Sequence, residues 1–111
     1  MKLVCEDHDR TTIMALEGDF TTDSVDAFKR AVTERLSDAG HDFVLVAEQV
    51  SFIDSAGLES LLWLQDEAAQ HLGQVRLVRP TENLSTILSI TRLCHQFDVH
   101  QEITEAIRSL K

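Results

Sequence analysis

The 111-residue sequence contains no apolar run that approaches the roughly 20 residues of a membrane-spanning helix. Residues 1–7 also lack the long apolar region of a secretory signal peptide. Cys5 and Cys94 are the only cysteines, and they stand in no metal-binding or redox spacing. We therefore expect two reduced thiols in a cytoplasmic protein.

The spacings that mark catalytic, metal and phosphate-loop sites are also missing. The four glycines stand at 18, 40, 57 and 73, so there is no glycine-rich loop. The five histidines show no metal-ligand spacing, and the adjacent pair Cys94-His95 makes a poor metal site. No histidine lies near Asp54 and Ser55 in the sequence to act as a base. We accordingly predict a protein that is not an enzyme and that uses no metal or cofactor.

Composition and charge point to an ordinary globular domain with protein partners. The apolar fraction of 43% and the charged fraction of 26% are typical of such domains, and the length suits one domain over residues 1–111. Nineteen acidic residues against ten basic ones give a net charge of −9. This charge disfavours nucleic acid and anionic membranes as partners, and it makes a basic protein surface more plausible.

Stretches of β-branched and apolar residues predict four or five strands. They are residues 3–5, 11–17, 43–47, 75–78 and, as a last short strand, 97–99. The polar residues 7–10 predict a turn that joins the first two strands as a hairpin. The third run is apolar without alternation, which is typical of a strand covered on both faces.

Helical periodicity occupies the segments between these strands. The predicted helices are residues 23–37, 55 to about 73, 84–91 and a last one that includes 103–110. The first would be capped by Thr21 or Thr22 and closed at 39–40, and the third would be capped by Asn83. We place Leu58, Leu61, Leu62, Ala68, Ala69 and Leu72 on the buried stripe of the second helix.

Two residues of the second predicted helix do not fit a simple amphipathic pattern. Gln65 interrupts the apolar stripe. Trp63 projects roughly opposite to it, where it would either anchor an interface or pack under a neighbouring loop or helix.

The order of these elements predicts an α/β fold. Strands separated by helices of this length pair in parallel through right-handed crossovers, and the opening hairpin makes the sheet mixed. We therefore predict a mixed, mainly parallel sheet of four to five strands that is flanked by about four helices.

Residues 51–58, Ser-Phe-Ile-Asp-Ser-Ala-Gly-Leu, lie where the third strand gives way to the second helix. We predict a loop here, with Asp54 and Ser55 at the helix start and Gly57 allowing close backbone approach. A helix N-terminus has unpaired N–H groups and a positive dipole end. A hydroxyl at this position either caps the helix or accepts a phosphate, and the residues alone leave both roles open.

Residues 50–58 resemble the signature of the STAS domain family, the family of anti-sigma-factor antagonists. In that family a strand is followed by a helix start that reads Asp-Ser-x-Gly-Leu. Residues 16–20, Leu-Glu-Gly-Asp-Phe, are similar to the family's strand that ends in Gly-Glu-Leu. The likeness continues through Gly73, 75–78, 84–93 and 105–106, and the family's fold agrees with the element order predicted above.

The resemblance implies a partner-switching protein. A serine kinase that is also an anti-sigma factor would phosphorylate Ser55, and only the unphosphorylated form would bind that kinase and release the sigma factor. We expect a monomer or weak dimer. The expected partner-binding residues are Thr21, Asp54, Ser55, Ala56, Gly57, Glu59 and Trp63.

A second reading keeps the fold but not the phosphorylation. The chain would then resemble the STAS subunit of a bacterial ABC lipid transporter and would dock on the ATPase subunit. Thr21 stands where family members often carry an acidic residue, and Val46 stands where they carry a polar one; both departures favour this reading. Ser55 favours the first, because a docking subunit needs no phosphoacceptor.

Overall fold

The computed structural model describes residues 1–36 and 40–110. Within these residues the chain forms five strands, four α-helices and one 3₁₀ turn, in the predicted order. Their bounds are β1 Lys2–His8, β2 Thr11–Phe20, α1 Thr22–Thr33, β3 Asp42–Ile53, α2 Ser55–Gln70, β4 Val75–Val78, α3 Glu82–Ile90, the 3₁₀ turn Cys94–Gln96, β5 Asp98–His100 and α4 Ile103–Ser109. No helix among them is long and apolar enough to cross a membrane.

The five strands form one sheet in the order β1-β2-β3-β4-β5. The β1–β2 pair is antiparallel and the other three pairs are parallel, which confirms the mixed, mainly parallel sheet. Helices α1, α2 and α3 cover one face, where Phe28, Leu61 and Leu84 join the main hydrophobic core. On the other face Ala106 of α4 packs on Val44 and Val46. The central strand β3 is therefore buried from both sides, as its apolar sequence predicts.

The first three strands are longer than predicted. Strand β1 runs to His8, so the turn is only Asp9-Arg10 rather than residues 7–10, with Asp9 at φ 54°. Strand β2 continues to Phe20 and β3 to Ile53. Residues 51–53 are thus part of a strand, and the prediction that they form a loop is wrong. The polar residues after 47 stay extended because β3 keeps pairing with β2 as far as Ile53, with two register shifts on the way.

Helix α2 confirms the predicted buried stripe in part: Leu61 and Ala68 are buried, and Leu58 and Leu62 pack against the core. Its buried residues are Gly57, Ser60, Leu61, Leu64 and Ala68. The placement of Ala69 and Leu72 on the buried stripe is wrong, because both are exposed. The small residues Gly57 and Ser60 let the helix approach the sheet closely and turn that side inward. Hydrophobic periodicity does not detect buried glycine and serine.

Helices α2 and α3 end with the same C-terminal motif, at residues that are not glycine. Leu72 and Arg92 adopt left-handed φ values of 65° and 63°. In α3 the Arg92 N–H donates to the Ser89 carbonyl and the Leu93 N–H to the Leu88 carbonyl, the two bonds of a Schellman motif. Gly73 is needed for another reason, since an added Cβ would overlap the His41 carbonyl oxygen.

The end of α1 and the start of α3 differ from the predicted boundaries. Helix α3 begins at Glu82 and is capped by Thr81, whose Oγ1 accepts from the Leu84 N–H at 3.1 Å, so the prediction of Asn83 as cap is wrong. Helix α1 ends at Thr33 and residues 34–36 form a turn, so the prediction that this helix continues through residue 36 is wrong. Ser37, its predicted end, and Ala39, half of its predicted closing pair, lie outside the described residues. Gly40, the other half, has a φ of 79°.

Candidate functional site

The site lies where strands β2 and β3 end together. The two strands are parallel, and their last residues, Phe20 and Ile53, are paired in register. Helix α1 begins at Thr22 and α2 at Ser55, each two residues beyond its strand. The two helix N-termini therefore lie side by side at one edge of the sheet, and both direct a positive dipole end and N–H groups without a partner inside their own helix towards it.

Asp54 connects these two helix starts. Its Oδ1 accepts from the Gly57 N–H at 2.9 Å, which caps α2. Its Oδ2 accepts from the Thr22 N–H at 3.2 Å and lies 3.5 Å from the Thr22 hydroxyl. The Gly57 N–H, followed by the other helix-start donors, lowers the pKa of the Asp54 carboxyl below its ordinary value. One ionised carboxylate thus serves both helices.

Thr21 occupies the N-cap position of α1, but its side chain makes no capping hydrogen bond. The prediction that a Thr21 or Thr22 hydroxyl caps this helix is wrong, because the Asp54 carboxylate supplies the acceptor instead. The pairing of Thr22 with Asp54 is not visible in the sequence. It spans 32 residues and depends on the register of β2 against β3.

Ser55 is the first residue of α2 and is exposed to solvent. Because Asp54 caps this helix, the fold does not use Ser55 as the cap. Of the two roles that the sequence leaves open for the hydroxyl, the capping role is therefore taken by Asp54. The serine hydroxyl stands at a helix N-terminus without the structural task that a capping serine would have.

Gly57 and Ala56 lie beneath the exposed surface at this site. Gly57 is buried, and an added Cβ would overlap the carbonyl oxygen of Phe20. Ala56 is half-buried, and its carbonyl accepts from the Ser60 hydroxyl at 2.9 Å. Gly57 therefore lets α2 sit against the end of β2 and donates its N–H to Asp54. It adds no side chain to a contact surface.

Glu59 and Trp63 follow Ser55 at intervals of four residues and so share its side of α2. Glu59 is exposed, whereas Trp63 is half-buried against the edge of the main core. The Lys29 ammonium of α1 stands 5.2 Å from the centre of the Trp63 ring, within reach of a cation–π interaction. Trp63 thus packs from α2 towards α1. Gln65, the residue that interrupted the stripe, donates a hydrogen bond to the Gln96 carbonyl of the 3₁₀ turn.

All the charged side chains in the segments that form this edge are negative. Residues 18–28 and 53–62 contain five carboxylates and no lysine or arginine. The carboxylates are Asp19, Asp23, Asp26, Asp54 and Glu59. Nowhere in the described residues do three or more His, Cys, Asp or Glu side chains form a group that could hold a metal ion.

The model of the STAS domain family matches residues 2–106 of the sequence. The chain belongs to the STAS domain family. Solved structures agree with this assignment at the level of the fold. An anti-sigma factor antagonist from Thermotoga maritima is 24% identical, and the match covers 97% of this chain and 93% of that one, with a TM-score of 0.87.

The Bacillus protein SpoIIAA has the same fold in two states. Its unphosphorylated form is 20% identical to this STAS domain and superposes with a TM-score of 0.82 over 96% of this chain and 93% of that one. Its phosphorylated form, also 20% identical, gives a TM-score of 0.77 over 97% and 98%. A comparison with curated proteins gave no match.

Proposed function

We propose that this STAS domain is a cytoplasmic, non-enzymatic signalling protein of the anti-sigma-factor antagonist type. It exchanges protein partners according to the phosphorylation state of Ser55. A serine kinase that also acts as an anti-sigma factor binds the unphosphorylated form and is released from the phosphorylated one.

The observation that carries the proposal is that Asp54, and not Ser55, caps α2. Asp54 provides the cap of α2, and Ser55 is exposed beside it at the positive end of the helix dipole. A kinase can reach such a hydroxyl, and a phosphate added there leaves the capping carboxylate in the chain. The modification therefore changes the surface while the helix keeps its own cap.

The change at the surface is large. A phosphoserine carries about −1.5 to −2 charges at neutral pH and three strong acceptor oxygens. The segments around Ser55 already hold five carboxylates and no basic side chain, so the phosphate adds to a negative surface that offers it no cation. A partner surface shaped for a small neutral hydroxyl then loses contact with a bulky, hydrated phosphate. Release follows from steric mismatch and from the cost of desolvating the phosphate.

The residues expected to contact the partner fall into two groups. Ser55 and Glu59 are exposed, and Thr21, Asp54, Ala56 and Trp63 are half-buried around them. Gly57 is buried and supports the surface from below. We propose that the six exposed and half-buried residues form the contact surface and that Gly57 fixes its position.

The test uses the purified chain and the histidine-kinase-like ATPase encoded nearest to its gene. Ser55→Ala is expected to bind this ATPase like the wild type and to block phosphate incorporation, measured by intact mass after incubation with ATP. Ser55→Asp is expected to abolish binding. Ser85→Asp, at an exposed position of α3, adds the same charge elsewhere and should bind normally. Equal binding by all three variants would show that Ser55 is not the switch.

The solved structures that resemble this chain do not favour the ABC-transporter alternative. The solved structures reported above are anti-sigma factor antagonists that match almost the whole length of both chains. Thr21, which favoured the alternative, stands at the N-cap of α1, beside the residue that Asp54 binds. Position 21 has no acidic side chain, but the carboxylate of Asp54, which follows β3, reaches the same helix start.

A further inference from the structure

The strongest unexplained feature of the site is that a single carboxylate holds two helices. Asp54 follows β3, yet one of its oxygens binds the first N–H of α1, which follows β2. No side-chain hydrogen bond from Thr21 substitutes for it. Whatever moves Asp54 therefore acts on α1 as well as on α2.

Phosphorylation of Ser55 would act on Asp54 directly. The two residues are adjacent in the chain, so a phosphate on Ser55 would lie close to the carboxylate that caps α2. A phosphate at this position repels the Asp54 carboxylate, because both groups are negative and residues 18–28 and 53–62 contain no lysine or arginine to neutralise them. Oδ1 of Asp54 is held by the shorter bond, 2.9 Å from the Gly57 N–H, so the repulsion acts chiefly on Oδ2.

The bond from the Thr22 N–H to Asp54 is the weaker link of the bridge. At 3.2 Å it is longer than the bond from Gly57, and Thr22 is exposed. A small rotation of the carboxylate breaks it while Oδ1 keeps the cap of α2. The first turn of α1 then loses its charged acceptor.

We propose that Asp54 is a positioning residue that ties the start of α1 to the Ser55 segment, and that phosphorylation of Ser55 releases Thr22 from it. This rests on the proposed function, in which Ser55 is the phosphoacceptor. The partner surface then changes on both helices when one serine is modified. The partner reads the modification at α1 as well as at the phosphate itself.

The test follows the backbone amides of Thr22 and Gly57 by NMR in the isolated, isotope-labelled chain, with Ser55→Asp as the stand-in for the phosphate. In the wild type, Ser55→Asp is expected to move the Thr22 amide proton shift towards its random-coil value and to speed its exchange with water about tenfold, as loss of a charge-assisted hydrogen bond should. The Gly57 amide is expected to stay hydrogen-bonded. Ser85→Asp controls for added charge and should leave Thr22 unchanged.

A double-mutant cycle separates this route from a general loosening of the site. Asp54→Asn keeps an acceptor oxygen and the capping ability but removes the charge. In that background Ser55→Asp should leave the Thr22 amide unaffected. In Asp54→Ala the Thr22 amide should exchange rapidly already, and Ser55→Asp should add nothing.

The proposal is overturned if Ser55→Asp leaves Thr22 unchanged in the wild type, or changes it equally in Asp54→Asn. Neither outcome bears on whether a kinase modifies Ser55, because no partner takes part in the measurement. Conversely, a failure of Ser55→Asp to disrupt partner binding would remove the proposed function and leave the coupling between Asp54 and Thr22 intact.

Discussion

Replacement of Gly57 by alanine tests whether the contact between α2 and the end of β2 decides the geometry of the site. An added Cβ would overlap the Phe20 carbonyl oxygen and would stand 2.9 Å from Ile53 Cγ1 and 3.0 Å from the Phe20 carbonyl carbon. Since non-bonded carbon atoms prefer about 3.5–4.0 Å, the start of α2 has to retreat by roughly 1 Å. The same movement strains the hydrogen bond from the Asp54 N–H to the Phe20 carbonyl, which is 3.2 Å long.

Two opposing effects set the magnitude. Alanine is favoured over glycine inside a helix by at most about 1 kcal/mol. Forcing extra volume into a packed contact costs about 1–3 kcal/mol, and weakening the Phe20 hydrogen bond adds about 1 kcal/mol. We expect Gly57→Ala to lower the free energy of unfolding by about 1–3 kcal/mol. At about 4 °C per kcal/mol for a domain of this size, Tm falls by roughly 4–12 °C.

Urea unfolding monitored by the fluorescence of Trp63, the only tryptophan, measures this change. Ala69→Gly is the matched control, because Ala69 is an exposed residue of the same helix and its loss reports helix propensity alone. It should cost about 1 kcal/mol. If Gly57→Ala stabilises the chain by the amount that Ala69→Gly destabilises it, only propensity acts at Gly57 and the contact with Phe20 has no energetic weight.

Two further predictions concern the ends of elements away from the site. Arg92→Gly relieves the left-handed φ of 63° at the end of α3 and should raise the free energy of unfolding by about 0.5–1 kcal/mol, seen as a higher urea midpoint; a lower midpoint would contradict the strain. Asp7 has its pKa lowered from 3.8 to about 2, chiefly by its hydrogen bond from Arg35. The stability that it contributes is therefore present above pH 3.8 and lost as pH falls towards 2. Because this side chain is half exposed, the contribution is about 0.5 kcal/mol, and the difference in unfolding free energy between wild type and Asp7→Asn should shrink over that interval; a constant difference would rule it out.

The sequence predicts the kind and order of the elements well because those follow from long hydrophobic patterns. The apolar run at 43–47 is buried on both faces, and Phe28 and Val32 of α1 lie in the core as their spacing predicts. Errors occur where a residue's partner is distant in the chain. The end of β3 at Ile53 is held by pairing with β2, which no local pattern in the polar residues before Ile53 reveals.

Helix boundaries show the same limit at closer range. Asn83 is a good N-cap by residue type, yet Thr81 takes the role, because the helix begins at Glu82 and Thr81 is the residue whose hydroxyl reaches the Leu84 N–H. Capping preference gives the residue types and leaves a choice among neighbours. Arg92 is a stronger case, since residue type disfavours the left-handed conformation that the end of α3 imposes on it.

The segment Asp54-Ser55-Ala56-Gly57 assigns a separate physical task to three of its four positions. The carboxylate at the first position caps α2 and holds α1, and the glycine at the last supplies the N–H that it binds and the closeness to Phe20. If serine were the cap, modifying it would remove the acceptor on which the helix start depends. With the cap on Asp54, Ser55 remains exposed and unneeded by the fold. Under the proposed function, a phosphate on Ser55 would change the surface and weaken the bond from Thr22 to Asp54 while the sheet and helices stay folded.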